Sequence, residues 1–401
     1  MLKSAAGHND RLLFIFVSIK DMIGLVEKRR RGMDMLIVIG IFAILIYGGL
    51  VYYIGWRGYR WLRPTSSSWK FKTLYILVVG LAACSFIIGR IPGLKILGIV
   101  GAYWMAIFYL LLLLVPLAHI TVILLRLTRL PRQRTQFWAG MATLVLVISL
   151  MGYGTFNAYS PIITTYRIKM EKGSSSLSSL NIAMAADTHF GLLSGKDHAE
   201  RLVKEMNALK PDLILLPGDM FDDDIQPFID QKIDVILAKL DAPPYGVYAT
   251  LGNHDKHKGT MQELIDTLEH SGINVLYDET ITINDQLTIV GRKDMSDPDR
   301  LTVDKLMTDT DPEKPIILLD HQPTKLGLSE QAGVDLVVSG HTHRGQVFLG
   351  NLITNALFEN DWGYLKKGNM QSIVTSGFGF WGPPIRIGTR SEIVNIMVEF
   401  E

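Results

Sequence analysis

The chain has 401 residues and is almost neutral overall, with 40 Lys+Arg against 39 Asp+Glu. Residues 1–179 hold 21 basic and 5 acidic side chains, leaving 19 against 34 for residues 180–401. The acidic half excludes nucleic acid as main partner, since a phosphate backbone is bound by a basic surface, whereas the basic, apolar half suits a lipid bilayer with an anionic surface.

Residues 1–34 read as an N-terminal extension, with Met33 or Met35 as candidate true start. The run Lys28–Arg31 prefers the cytoplasm and opposes the orientation derived below unless translation begins after it. Four segments without Asp, Glu, Lys or Arg follow: Met35–Ile54, Thr73–Gly89, Ile96–Leu125 and Phe137–Phe156. Each approaches or exceeds the roughly 20 residues that cross a bilayer core, so residues 35–156 are expected to be a membrane region of about four transmembrane helices. The first loop carries Arg57, Arg60, Arg63, Lys70 and Lys72, and the third Arg126, Arg129, Arg132 and Arg134, whereas the second has only Arg90 and Lys95. Placing the basic loops in the cytoplasm puts everything after Phe156 outside. The expectation is a multi-pass protein of the cell membrane with an extracytoplasmic second half. Residues 157–180, ending in a serine-rich stretch, read as a flexible linker.

From residue 181 to 401 short apolar runs alternate with amphipathic stretches. Strands are expected at 181–186, 212–216, 246–251, 287–291, 316–319, 335–339, 372–375 and 393–400, and helices at 198–209, 227–240 and 260–271. Such alternation predicts a layered α/β domain with a largely buried sheet. The one cysteine, Cys84, lies outside it, so any metal there is held by His, Asp, Asn or Glu.

The polar residues fall at the ends of the apolar runs. Asp187-Thr188-His189 follows the first, Gly218-Asp219 with Asp222 the second, and Gly252-Asn253-His254-Asp255 the third. Asp320-His321 and Gly340-His341-Thr342-His343 end two later ones. Ligands of open α/β sheets bind beyond the carboxyl ends of the strands. Each fragment alone is an ordinary turn, but five of the ten histidines sit in these fragments, and five strand ends delivering Asp, Asn or His to one edge make one site. On an extended backbone Asp187 and His189 would point to the same side and share one ion.

In this order the fragments resemble the calcineurin-like metallophosphoesterases, in the bacterial membrane-anchored branch, over residues 180–401. The resemblance implies a four-layer αββα sandwich, here preceded by the transmembrane helices. It implies seven ligands for a binuclear centre of divalent transition-metal ions: Asp187, His189 and His343 on one ion, Asn253, His321 and His341 on the other, and Asp219 bridging both. Oxygen and nitrogen donors without sulfur suit Mn, Fe or Zn. It implies a metal-dependent hydrolase in which bridging hydroxide attacks a phosphate ester or diphosphate bond. His254 is the expected general acid, oriented by Asp255.

Arg344 and Arg386 are further candidates to grip phosphate, and Phe378, Phe380 and Trp381 to rim the substrate. His198, His257 and His270 fall outside the pattern and are expected to be exposed. The expected substrate is a phosphorylated small molecule or a lipid-linked phosphate at the membrane surface, as some relatives of that branch act on lipid-linked diphosphates. A phosphoprotein phosphatase and a catalytically silent membrane scaffold are the alternatives. The scaffold is disfavoured because inactive relatives typically lose ligand positions, and all seven are present.

Overall fold

The computed structural model describes residues 35, 37–63, 68–91, 93–171, 175–241, 244–255 and 261–401. The expected extension 1–34, its basic run and His257 lie outside the described residues. The chain divides into two compact units, one drawn from Met1–Ala83 and Leu111–Thr143, the other from Cys84–Leu110 and Leu144–Glu401.

Among the described residues, four helices are long and apolar enough to cross a membrane. They are α1 (Ile37–Leu62), α2 (Trp69–Ile88), α3 (Lys95–Leu124, prolonged by a 3-10 turn to Leu127) and α4 (Arg132–Tyr159). Their aliphatic side chains, Leu45, Leu81 and Leu117 among them, stay exposed. That is the pattern of helices whose solvent is lipid, where every backbone group must be satisfied within the helix. Arg57 and Arg60, expected in a loop, lie in the last turns of α1, and Pro116 sits inside α3 without ending it.

Among the described residues the second unit carries twelve strands: β1 (Ile162–Met170), β2 (Ser179–Met184), β3 (Leu213–Pro217), β4 (Val247–Thr250), β5 (Asn274–Val275), β6 (Glu279–Ile283), β7 (Leu287–Gly291), β8 (Ile316–Leu319), β9 (Leu336–Ser339), β10 (Gly363–Lys367), β11 (Met370–Val374) and β12 (Glu392–Phe400). They form two six-stranded sheets, ordered β1-β12-β2-β3-β4-β5 and β10-β11-β9-β8-β7-β6. Helices α5 (Lys196–Ala208), α6 (Gln226–Asp230), α7 (Ile233–Leu237) and α8 (Met261–Glu269) follow strands of the first sheet. Helices α9 (Val303–Leu306), α10 (Leu326–Gln331) and α11 (Gly350–Leu357) belong with the second. The stretch 227–240, expected as one helix, is two, because Lys232 takes φ 55° between them.

Alternation along the strands builds the layers. In β3, Ile214 and Leu216 pack with Leu202 and Met206 of α5, while Leu213 and Leu215 turn to the other sheet and meet Ile317 and Leu319 of β8. In β8, Ile316 and Leu318 point outward to Val303 and Leu326 of α9 and α10. The order helix, sheet, sheet, helix is therefore the expected αββα sandwich. With both faces covered, central strands are apolar at every position, and each fully buried aliphatic side chain contributes about 1.5–3 kcal/mol.

The described residues of the expected linker 157–180 are not a flexible tether. Nine of them are β1, which runs parallel to β12 in register from Ile162↔Glu392 to Met170↔Phe400. Ile168 and Met170 bury one face while Lys169 remains exposed. The last turns of α4 join the same body. The Gly154 carbonyl accepts from Arg386 N (2.9 Å), Asn157 Nδ2 donates to the Arg386 carbonyl (3.2 Å), and Ser391 Oγ donates to the Ala158 carbonyl (2.7 Å). A helix of membrane-crossing length thus runs into the sandwich without a flexible segment.

Candidate metal centre

Strands β2, β3 and β4 of one sheet run parallel to one another, as do β8 and β9 of the other, and all five carry the polar fragments at their carboxyl ends. Main-chain bonds tie these ends together: Asp187 N to the Gly218 carbonyl (3.0 Å), His189 N to the Asp219 carbonyl (3.1 Å) and Gly340 N to the His321 carbonyl (3.0 Å). The fragments that follow do not continue the strands. Asp187 (φ 53°), His189 (φ 42°), Asp219 (φ 54°), His341 (φ 70°) and His343 (φ 47°) all lie in the left-handed region. This corrects the extended-backbone reading of Asp187 and His189, whose side chains converge because the chain curls. Such conformations persist only where the surroundings over-determine them, and they gather at functional sites.

Two groups of donors result. Asp187, His189 and His343 form one, and Asp219, His321 and His341 the other, with the atoms of each group within 4.8 Å of one another. Asp219 Oδ2 lies between the groups, 3.0 Å from His321 Nε2 and 3.8 Å from His189 Nε2. His189 Nε2 and His343 Nε2 are 3.1 Å apart, so the two rings present nitrogen to one point. The neighbouring glycines permit the crowding. A Cβ at Gly252 would stand 2.2 Å from Asp219 Oδ1, and one at Gly340 would stand 2.4 Å from Asp187 Oδ2.

The donor set fits cations. Asn253 Oδ1 and His189 Nδ1 are buried without a hydrogen-bond partner, and so is His321 Nε2 despite its closeness to Asp219. A buried polar group without a partner costs stability unless something else satisfies it. His321 Nδ1 lies 2.9 Å from the Pro217 carbonyl, to which it donates, leaving Nε2 turned to the centre. Burial lowers His189 and His341 to about 4 and His343 well below the ordinary imidazole range, so these rings are uncharged with lone pairs available. Burial pushes Asp187 up to about 7, reinforced by the charge of Asp219. Burial opposes charge on His321 as well, but Asp219 and Asp187 outweigh it and raise the ring to about 10. A proton there neutralises carboxylates that a divalent ion would neutralise instead, so proton and metal compete for His321.

His254 adjoins this centre. Its N–H donates to Asp219 Oδ1 (2.8 Å), and its ring stands 5.1 Å from that of His189. Its Nδ1 meets Asp223 Oδ1 at 2.6 Å. Burial alone would lower the His254 pKa, but the bond to Asp223 and the charges of Asp219 and Asp222 raise it. The expected orienting role of Asp255 is therefore corrected. Asp255 is fully buried and its two oxygens accept from Phe221 N (2.9 Å) and Gly252 N (2.7 Å), which fixes the loops rather than the His254 ring. Sequence reading missed Asp223, whose only signal is its place next to the Asp222 of the fragment.

Arg386 is corrected too. It is wholly buried, donates to the carbonyls of Gly379 (2.6 Å) and Gly377 (3.3 Å), and sets Nη2 3.1 Å from His343 Nδ1. It supports a ligand rather than meeting a phosphate. Arg344 is half-buried over the Trp362 ring, 3.7 Å from its centroid. Phe378 and Phe380 are core residues, and only Trp381 is exposed. His198, expected on the surface, is buried beside Phe378 and Tyr159, while His270 is exposed.

Comparison with known proteins agrees with this geometry. The family model for calcineurin-like phosphoesterases matches residues 180–345, a span that contains all seven expected ligands. An uncharacterized metallophosphoesterase of Aquifex aeolicus is 32% identical over 262 residues, 63% of this chain and 98% of the other. A transmembrane protein with metallophosphoesterase domain from Danio rerio is 29% identical over 272 residues, 64% of this chain and 62% of the other. An uncharacterized metallophosphoesterase of Helicobacter pylori (strain J99) is 32% identical over 226 residues, 53% of this chain and 58% of the other. The chain thus spans about three fifths of the length of the Danio and Helicobacter relatives.

Proposed function

This chain belongs to the calcineurin-like phosphoesterases, a metal-dependent family, and from that membership we propose that it is a membrane-anchored hydrolase of a phosphate ester or diphosphate bond working with two divalent transition-metal ions. The observation that carries the reading is the pair of donor groups with Asp219 between them and His254 alongside. Asp187, His189 and His343 would hold one ion, Asn253, His321 and His341 the other, and Asp219 both. When bound, two such ions supply Lewis acidity and an activated water.

The remaining work falls to the chain. His254, with Nδ1 engaged by Asp223, holds at Nε2 the proton that the leaving oxygen needs. The Asp223 carboxylate keeps that ring charged, and the His254 N–H fixes the second oxygen of Asp219 so that the carboxylate cannot swing. Asp187 is held likewise by His341 N at 2.9 and 3.1 Å. Burial of these groups lowers the local dielectric and strengthens every charge interaction in the centre.

The proposed site of action is the outer surface of the cell membrane, with a phosphorylated small molecule or a lipid-linked phosphate as substrate. Four helices of crossing length and the basic loops support it. The full chain in detergent, given chromogenic phosphate mono- and diesters and then lipid diphosphates, tests the chemistry. Activity should vanish in chelator and return with Mn²⁺; full turnover by demetallated protein would end the two-metal reading.

A further inference from the structure

Helix α11 has the sequence GNLITNAL, with no ionisable residue and no buried one. Leu352 and Ile353 are 60% exposed and Leu357 72%, and Phe348 and Leu349 just before them are exposed as well. Positions 349, 352, 353 and 357 share one helical face, so the segment presents a continuous apolar stripe that no part of the described chain covers. Eight residues are also too few for a helix to persist in water on its own hydrogen bonds.

Both ends of α11 are fixed to the metal centre. The turn His343–Gly345 precedes it so closely that a Cβ at Gly345 would stand 2.0 Å from the backbone of Gly350. After it, Phe358 sets its ring edge-on to His341, with centroids 5.9 Å apart. Gln346 joins the exposed Trp381 to the same rim, accepting from Trp381 N (2.9 Å) and donating to its carbonyl (3.0 Å), while the Trp381 and His254 rings lie 5.7 Å apart.

The depth of this rim follows from α3. Tyr109 Oη donates to the Phe348 carbonyl. Helix α3 carries no charge from Ile96 to Leu124, and the next basic residue is Arg126. Counting back the roughly 20 residues that cross a bilayer core puts the other boundary near residue 106. Tyr103, Trp104 and Tyr109 straddle that point, as aromatic residues do at headgroup level. Phe348 therefore meets α3 where the lipid headgroups lie, and an uncharged stripe at that depth suits acyl chains.

Resting on the hydrolase reading for what reacts, we infer that α11, with Phe348, Leu349 and Trp381, rests in the surface layer of the bilayer and turns the metal centre toward phosphate groups carried there by lipids. The stripe is then a further membrane contact of the chain.

The test uses the full chain in nanodiscs of phosphatidylcholine and phosphatidylglycerol. Cys84→Ser removes the native thiol, and Ile353→Cys or Leu357→Cys carries an environment-sensitive fluorophore, with Lys210→Cys, exposed on the sandwich, as aqueous reference. A nitroxide on the lipid acyl chain should quench the α11 probes several-fold more than the reference, and iodide in the buffer several-fold less. Iodide quenching equal to the reference would overturn the inference. Shielding from both quenchers would overturn it as well, because a protein surface would then cover the stripe. Nitrophenyl phosphate turnover with Mn²⁺ in the same sample reads the chemistry separately, so loss of that activity counts against the hydrolase reading and leaves the membrane contact standing.

Discussion

Arg386 sets its guanidinium 3.1 Å from Nδ1 of His343, and its own main-chain N–H is bonded to the carbonyl of Gly154 in α4. One buried residue thus connects the last turns of a helix of membrane-crossing length to a ligand of the metal centre. Arg386→Ala would take from the Gly379 carbonyl its donor, at about 1–3 kcal/mol, and free the His343 ring, while the Gly377 carbonyl keeps the Glu392 N–H. Metal affinity should fall, because the His343 ring loses the buried neighbour that fixes its orientation. Arg386→Lys should recover stability more than affinity, because an ammonium cannot match the planar fork. Metal titration and thermal unfolding of both variants check this, and unchanged affinity in Arg386→Ala would exclude the coupling.

Asp219→Asn should lose more activity than a change at any other ligand. Its Oδ2 faces both donor groups, while Oδ1 holds the His254 N–H. Metal counting on the purified variant should show both ions weakened. Retention of one tightly bound ion would argue that Asp219 serves a single site.

His254→Ala should keep its metals and slow turnover by roughly 10²–10⁴-fold, the range for a lost general acid. The deficit should shrink for nitrophenyl esters, whose leaving group departs without a proton. Asp223→Asn should give a milder loss with the same dependence on leaving group, because it removes the charge that holds the ring protonated. Asp255→Asn should instead act on stability, since Asp255 secures Phe221 N and Gly252 N. Equal deficits for His254→Ala on all esters would make the ring a ligand or a structural group.

Metal uptake should release protons and weaken as pH falls. His321, raised to about 10 by Asp219 and Asp187, must give up its proton to become a ligand. Calorimetric titration with Mn²⁺ in buffers of different ionisation enthalpy reads the proton count directly. A heat independent of buffer would contradict the competition.

Protease added to intact cells stripped of any outer layer should digest the sandwich. Nine basic residues in the first and third loops and the helix turns that flank them, against two at the second, carry this expectation. Full protection until the membrane is opened would reverse the topology.

The candidate ligands and the helices of membrane-crossing length were legible in the sequence because their signals are local. A run of uncharged residues long enough to cross a bilayer announces itself, and so does an Asp, Asn or His placed directly after a buried strand. Other features were decided by residues far apart in the chain. β1 reads as a polar connection until β12, more than two hundred residues later, accepts it in parallel register. Asp255 adjoins His254 in sequence, yet the turn sends its carboxylate to two backbone N–H groups and brings Asp223 to the ring instead. Arg386 reads as a candidate to grip phosphate, and only its burial against His343 turns it into a support for a candidate ligand. The left-handed backbone at five ligands has no signature in side-chain type, since it is imposed by strand ends and glycines that crowd one another in space. Periodicity and composition record what one segment prefers, whereas the partner of a charge and the curl of a loop are fixed only when distant segments pack together.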